Sequence, residues 1–153
     1  MVIQFERFLL FLMFLAATTV VTPMALASDS ERHQTADGMD IYLGVIPSVF
    51  ITEHPDMHGK SKKQHRYHVL VALFDSITGE RITNAKVRAR VSLLGLVGPE
   101  KTLEAMNNHN VMSYGNYFMM TDPGQYRIEF RIKRTAEQKE ETLVRFLYRR
   151  PGD

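Results

Sequence analysis

The sequence predicts an all-β chain folded as an antiparallel sandwich of about seven strands, and three observations carry that reading. Ala85, Val87, Ala89 and Val91 alternate with Lys86, Arg88 and Arg90, and Tyr126, Ile128, Phe130 and Ile132 alternate with Arg127, Glu129, Arg131 and Lys133. Side chains on a strand point to opposite faces in turn, so strict alternation marks a strand with one face buried. Five further runs of similar length stand between Gly, Pro, Asn and Asp turn signals. Past the first 27 residues no stretch has the period of an amphipathic helix.

The elements follow in chain order. Arg7 and the apolar run 8–17 (FLLFLMFLAA), closed by Ala25-Leu26-Ala27, read as a cleavable signal peptide over 1–27. The alternative is a retained anchor, but Thr18, Thr19, Thr22 and Pro23 interrupt the stretch. Residues 28–38 (SDSERHQTADG) are polar and without period, a flexible leader. The domain then spans 39–150. Its first strand is 41–51, which Pro47 confines to an edge or breaks. A polar loop over 52–65 leads to 67–74 (YHVLVALF), apolar on both faces except at His68, as in a central strand. A turn around Thr78-Gly79 precedes the alternating strand 85–94, and Gly95, Gly98 and Pro99 close it. Residues 101–106 and 111–120 form a hairpin about 107–110 (NNHN), and the last two strands are 126–133 and 142–148. In DPGQY (122–126) the glycine stands two positions before a strand-opening tyrosine. That spacing fits either a tyrosine corner, its hydroxyl turned back to the loop, or an ordinary inward tyrosine.

Composition removes several classes of function. There is no cysteine, hence no disulfide, thiolate ligand or cysteine nucleophile, and a formal net charge of +2 is too small for a nucleic-acid binder. No G-x-S-x-G, H-E-x-x-H, G-x-x-x-x-G-K-[ST] or G-x-G-x-x-G occurs, so the chain reads as a non-enzyme.

Two clusters point to metal chemistry instead. EAMNNHNVMSYGNYFMM (104–120) holds four methionines and one histidine. Thioether sulfur is a soft neutral donor suited to copper(I), and imidazole is its common companion. Met106 and Met112 leave the two hairpin arms near the same end with His109 at the tip, a three-donor mouth. Met119 and Met120 are adjacent on a strand and point to opposite faces. The competing reading is that the methionines fill core gaps. The second cluster, HPDMHG (54–59), places His54, Met57 and His58 on the 52–65 loop beside Asp56. It adds to the first if loop and turn share one end of the sandwich. His65 and His68 face opposite sides of their strand and make a weak pair; His68 reads as a core histidine with a backbone partner.

The stretches DSITGERITNAKVRARV (75–91), YGNYF (114–118) and DPGQYRIEFRI (122–132) resemble the YtkA-like and FixH-like periplasmic domains, immunoglobulin-like sandwiches akin to the CopC-type copper-binding proteins. The resemblance covers about residues 66–148. It implies an immunoglobulin-like fold, a periplasmic location and a role in copper handling or cuproenzyme assembly. In CopC proteins a histidine at the mature amino terminus commonly ligates copper(II); here Ser28-Asp29-Ser30 stands there and His33 comes sixth.

The expected function is therefore an exported copper carrier or accessory, with Met106, His109, Met112, His54, Met57 and His58 as donors and an affinity that falls as histidine protonates. The alternative is a metal-free module that docks a membrane or secreted partner. It would do so through a basic sheet face of Lys86, Arg88, Arg90, Arg127, Arg131 and Lys133, provided those strands are neighbours.

Overall fold

The computed structural model describes residues 31–50, 65–108, 111–135 and 137–152. The expected signal peptide lies outside the described residues. Among the described residues nine strands form two antiparallel sheets: β1 His33–Ala36, β2 Met39–Pro47, β3 Arg66–Asp75, β4 Lys86–Leu93, β5 Glu100–Thr102, β6 Glu104–Asn108, β7 Val111–Met119, β8 Gly124–Lys133 and β9 Thr142–Arg150. One sheet has the order β1-β2-β3-β7-β6 and the other β5-β4-β8-β9. Without β1, the first is the A-B-E-D sheet of an immunoglobulin-like sandwich and the second its C′-C-F-G sheet.

Alternation builds the core. Ile41, Val69, Val71 and Leu73 from the first sheet meet Ala89, Ile128, Phe130 and Ile132 from the second, each completely removed from solvent. Phe130 and Phe146 pack edge to face, with ring centroids 5.9 Å apart. β3 is the central strand of its sheet, as its apolar composition predicts. The tyrosine corner is present: Tyr126 Oη donates to the Asp122 carbonyl at 2.9 Å, at the start of the F strand.

Two expectations are corrected. Residues 33–36, expected within a flexible leader, form β1, whose His33 and Thr35 lie opposite Tyr42 and Asp40 of β2. Thr35 Oγ1 donates to Asp40 Oδ1 at 2.6 Å and the His33 ring stacks on Tyr42, so a polar segment gains enough partners to pair. Residues 101–106, expected as one hairpin arm, are divided between sheets: β5 pairs with β4, whereas β6 pairs with β7. Leu103, at the crossing point, is buried and donates its N–H to Val87 O at 2.9 Å. Burying that one leucine between the layers turns the chain from one sheet into the other.

Pro47 ends β2. β1 pairs only as far as Tyr42, so the proline that cannot donate to a ladder sits where no neighbour asks it to. A 3-10 turn, Ser48–Phe50, follows. The β3–β4 connection is organised by Asp75, whose Oδ1 accepts from the N–H groups of Ile77 and Thr78 while Oδ2 takes the Arg134 guanidinium. These bonds, the Thr78 N–H foremost, hold its carboxyl far below the usual carboxylate range.

Candidate metal centre

The outer face of the five-stranded sheet carries the residues that alternate with the core. Register places His68 of β3 opposite Tyr117 of β7, Leu70 opposite Gly115, and Gly115 in turn opposite Glu104 of β6, beside the Met106–Ser113 pair. Paired residues share a face, so His68, Leu70, Gly115, Tyr117 and Met106 all project outward.

Gly115 decides what that face can do. A Cβ added there would lie 2.7 Å from His68 Nε2, 2.7 Å from Leu70 Cδ2 and 3.2 Å from Met106 Cε. An imidazole nitrogen and a thioether arm thus converge on the space that only glycine leaves open. The imidazole is held in place: its ring stacks on Tyr117 with centroids 4.5 Å apart and 18° between planes, and the Arg66 guanidinium carbon lies 4.1 Å from the same tyrosine ring.

His68 is buried, at 8% exposure, although it faces away from the core. Among the described residues neither of its ring nitrogens has a hydrogen-bond partner, contrary to the expectation of a core histidine satisfied by backbone. Burial pushes its pKa down, and the charge of Arg66 acts in the same direction. The ring is therefore neutral at neutral pH, with a lone pair available at one nitrogen, the state a metal ligand requires.

The expected donors separate. Met106 is half-buried on the outer face, beside Gly115. Met112 pairs with Asn107 and so lies on the opposite face, with Tyr114 and Phe118 of the core. The two methionines leave the same end of the hairpin, as expected, but one ion cannot take both across the sheet. Met119 and Met120 divide as expected, 56% and 0% exposed. His109 lies outside the described residues, between Asn108 and Val111 at the hairpin end, and His54, Met57 and His58 lie outside them as well. The segment with those three leaves after Phe50 and returns at His65, next to the Arg66–Met119 pair at the other end of β7. The condition that loop and turn share one end is not met at their points of attachment, which stand at the two ends of a nine-residue strand, roughly 26 Å apart at 3.3 Å per step.

Elsewhere, His33 Nε2 and Asp40 Oδ1 are 3.1 Å apart, and the Thr35 hydroxyl and then His33 hold the Asp40 carboxyl below its ordinary value. Among the described residues no three His, Asp or Glu side chains group closely enough to hold a metal ion. What remains is a soft pair, His68 and Met106. His68 has a sequence signal, the single polar residue in YHVLVALF. Its partner becomes visible only through the pairing of β3, β7 and β6.

No family model matches the sequence, and no curated protein matches it. Solved structures do resemble it. FetP of uropathogenic Escherichia coli strain F11 superposes with a TM-score of 0.61 at 12% identity, over 79% of this chain and 93% of that one. A DUF4426 family protein of Pseudomonas aeruginosa PAO1 gives 0.58 at 14%, over 80% and 99%. The copper-reconstituted P19 protein of Campylobacter jejuni gives 0.59 at 12%, over 76% and 91%. At these identities the likeness is one of fold, that of the sandwich just described. The YtkA-like and FixH-like resemblance stands on the sequence motifs.

Proposed function

We propose that this protein is an exported, periplasmic copper-binding protein, a carrier or an accessory in copper handling and cuproenzyme assembly rather than an enzyme. The observation that carries the reading is the convergence of His68 Nε2 and the Met106 thioether arm over Gly115. One neutral nitrogen and one soft sulfur suit copper(I) better than any hard cation. A structural neighbour whose name includes bound copper gives the same reading support from a different direction.

Two donors leave a copper ion open to more. His54, Met57 and His58 are the candidates to complete the set, because their segment leaves and re-enters the fold at the end of β3 that carries His68. Met112 belongs to the other face, and the segment with His109 joins the strands at the other end of β7; we propose that these two would serve a second, separate ion.

The alternative, a docking module with a basic face, also has an observation in its favour. β4 and β8 are neighbours, with Lys86 opposite Lys133 and Arg88 opposite Arg131. Titration of the chain from Ser28 with copper(I) against a competing chelator separates the two readings. His68→Ala and Met106→Ala should each weaken uptake by roughly 10–100-fold or more, the range for loss of an outer-shell partner being the lower limit. Weak uptake, equal in all three proteins, would leave the docking module.

A further inference from the structure

One end of the sandwich gathers exposed apolar side chains from both sheets. The hydrogen bonds fix which elements meet there. Pro47 of β2 pairs with Tyr67 of β3, and His65 accepts from the Met120 N–H. Arg150 at the end of β9 reaches His65 Nδ1. Gly124 of β8 pairs with Arg150, and the Leu94 N–H, just past β4, donates to Gln125 O. At this end Val49 and Phe50 are 58% and 75% exposed, and Leu96 and Val97 63% and 88%. Burial in the core explains none of these four; Gly95, whose φ is +89°, turns the segment that carries Leu96 and Val97, and Val49 and Phe50 stand on the 3-10 turn after β2.

Charge accompanies them. On the outer face of the four-stranded sheet eight cations, Lys86 to Arg149, stand among three carboxylates, Glu100, Glu129 and Glu141. The carboxylates pair with Arg88, Arg90, Arg131 and Arg145. Arg127 and Arg149, exposed and nearest the apolar end, have no ion-pair partner among the described residues.

We propose that this end is a membrane-docking surface: Leu96, Val97 and Phe50 enter the interfacial layer of an anionic leaflet while Arg127 and Arg149 meet lipid phosphates. Charge complementarity selects the occupant. Apolar tips on separate turns are flanked on one sheet face by two guanidinium groups that have no ion-pair partner among the described residues and outnumber the exposed Asp122 carboxylate at this end. Together they match a diffuse negative surface with an apolar layer beneath it. An acidic protein would satisfy the arginines and leave the apolar tips in water. The inference does not rest on copper, since Leu96, Val97, Arg127 and Arg149 belong to the four-stranded sheet and its turns, whereas His68 and Met106 lie on the other sheet.

All nine strands and the described core lie within 33–150, so the chain from Ser28 carries the fold and is free of the apolar run 8–17, which would bind lipid by itself. The test is flotation of that chain with vesicles of phosphatidylcholine alone and of phosphatidylcholine with phosphatidylglycerol, at low and high salt. The expected result is retention on the anionic vesicles, weakened by salt, and reduced about tenfold both by Leu96→Asp with Val97→Asp and by Arg127→Glu with Arg149→Glu. Thermal unfolding of each variant should match the parent, because all four side chains are exposed. Three results would overturn the inference: no retention on anionic vesicles, equal retention of parent and variants, or retention on immobilised polyglutamate with none on vesicles. So would concentration-dependent self-association that the Leu96 and Val97 changes abolish in a protein that never floats.

Discussion

The two outer faces of the sandwich obey the same alternation and differ in chemistry at their centres. On the four-stranded sheet, β4 and β8 place arginines directly opposite each other, and Glu100 reaches Arg88 at 2.7 Å and Arg90 at 2.9 Å to relieve the repulsion. That face is solvated and open to salt. On the five-stranded sheet the outward positions around Gly115, namely His68, Leu70, Tyr117 and Met106, are uncharged and at least half-buried, with Glu104 and Arg66 beside them. Charge placed outward makes a surface; a missing side chain placed outward lets neighbouring side chains close over the backbone. The difference lies in Gly115, where a strand interior accepts the cost of a glycine and gains room for two donors.

The largest expected effect is at that glycine. Gly115→Val should abolish copper uptake and destabilise the domain by about 1–3 kcal/mol, the usual cost of overpacking, in a urea unfolding titration. Gly152→Val, where an added Cβ meets nothing within 4 Å, should be silent in both measurements. Intact uptake by the Gly115 variant would remove the reason for treating the two faces differently.

A smaller effect concerns pH. His68 in the folded chain resists protonation relative to its ordinary value of 6.5, so the unfolded chain binds the proton first. Stability contributed by the neutral ring is intact above that value and declines as pH falls through 6.5 toward the lower folded pKa. The stability difference between the parent and His68→Gln, measured at about pH 7.5 and about pH 5, should therefore move against the parent on acidification. Copper affinity should hold to a more acid pH than an exposed histidine would allow. A difference independent of pH would mean that His68 is not shielded.

The smallest effect belongs to the charged face. Glu100→Gln should cost about 0.5–1 kcal/mol at low ionic strength and less at high salt, with copper affinity unchanged, because the ion pairs are partly exposed. A salt-independent loss would indicate a structural role for Glu100 beyond charge.

Legibility followed the range of the interactions. The alternation at 85–91 and 126–133 and the central place of YHVLVALF are local patterns, and each appears in the fold as its residues indicate, while at DPGQY the fold selects the tyrosine corner from two readings the spacing allows. β1 escaped because its stability comes from partners on β2, not from its own polar residues. The division of 101–106 between sheets depends on one leucine buried by the opposite layer. The candidate site shows the same limit. Spacing located methionines near one hairpin end, but only the pairing of Met106 with Ser113 and of Asn107 with Met112 reveals that the two sulfurs lie on opposite faces. His68, three strand positions from His65 in sequence, finds Met106 through two intervening strand contacts that no single-sequence period encodes.

The proposed copper site lies on the outer face at Met106 and not at the hairpin end as a whole. Its most direct test is the ratio of copper(I) affinities of Met106→Ala and Met112→Ala, each titrated against the same chelator. The account predicts that Met106→Ala binds at least roughly tenfold more weakly than the parent while Met112→Ala retains the parent's affinity at the tight site. Equal losses in the two variants, or a loss confined to Met112→Ala, would contradict it.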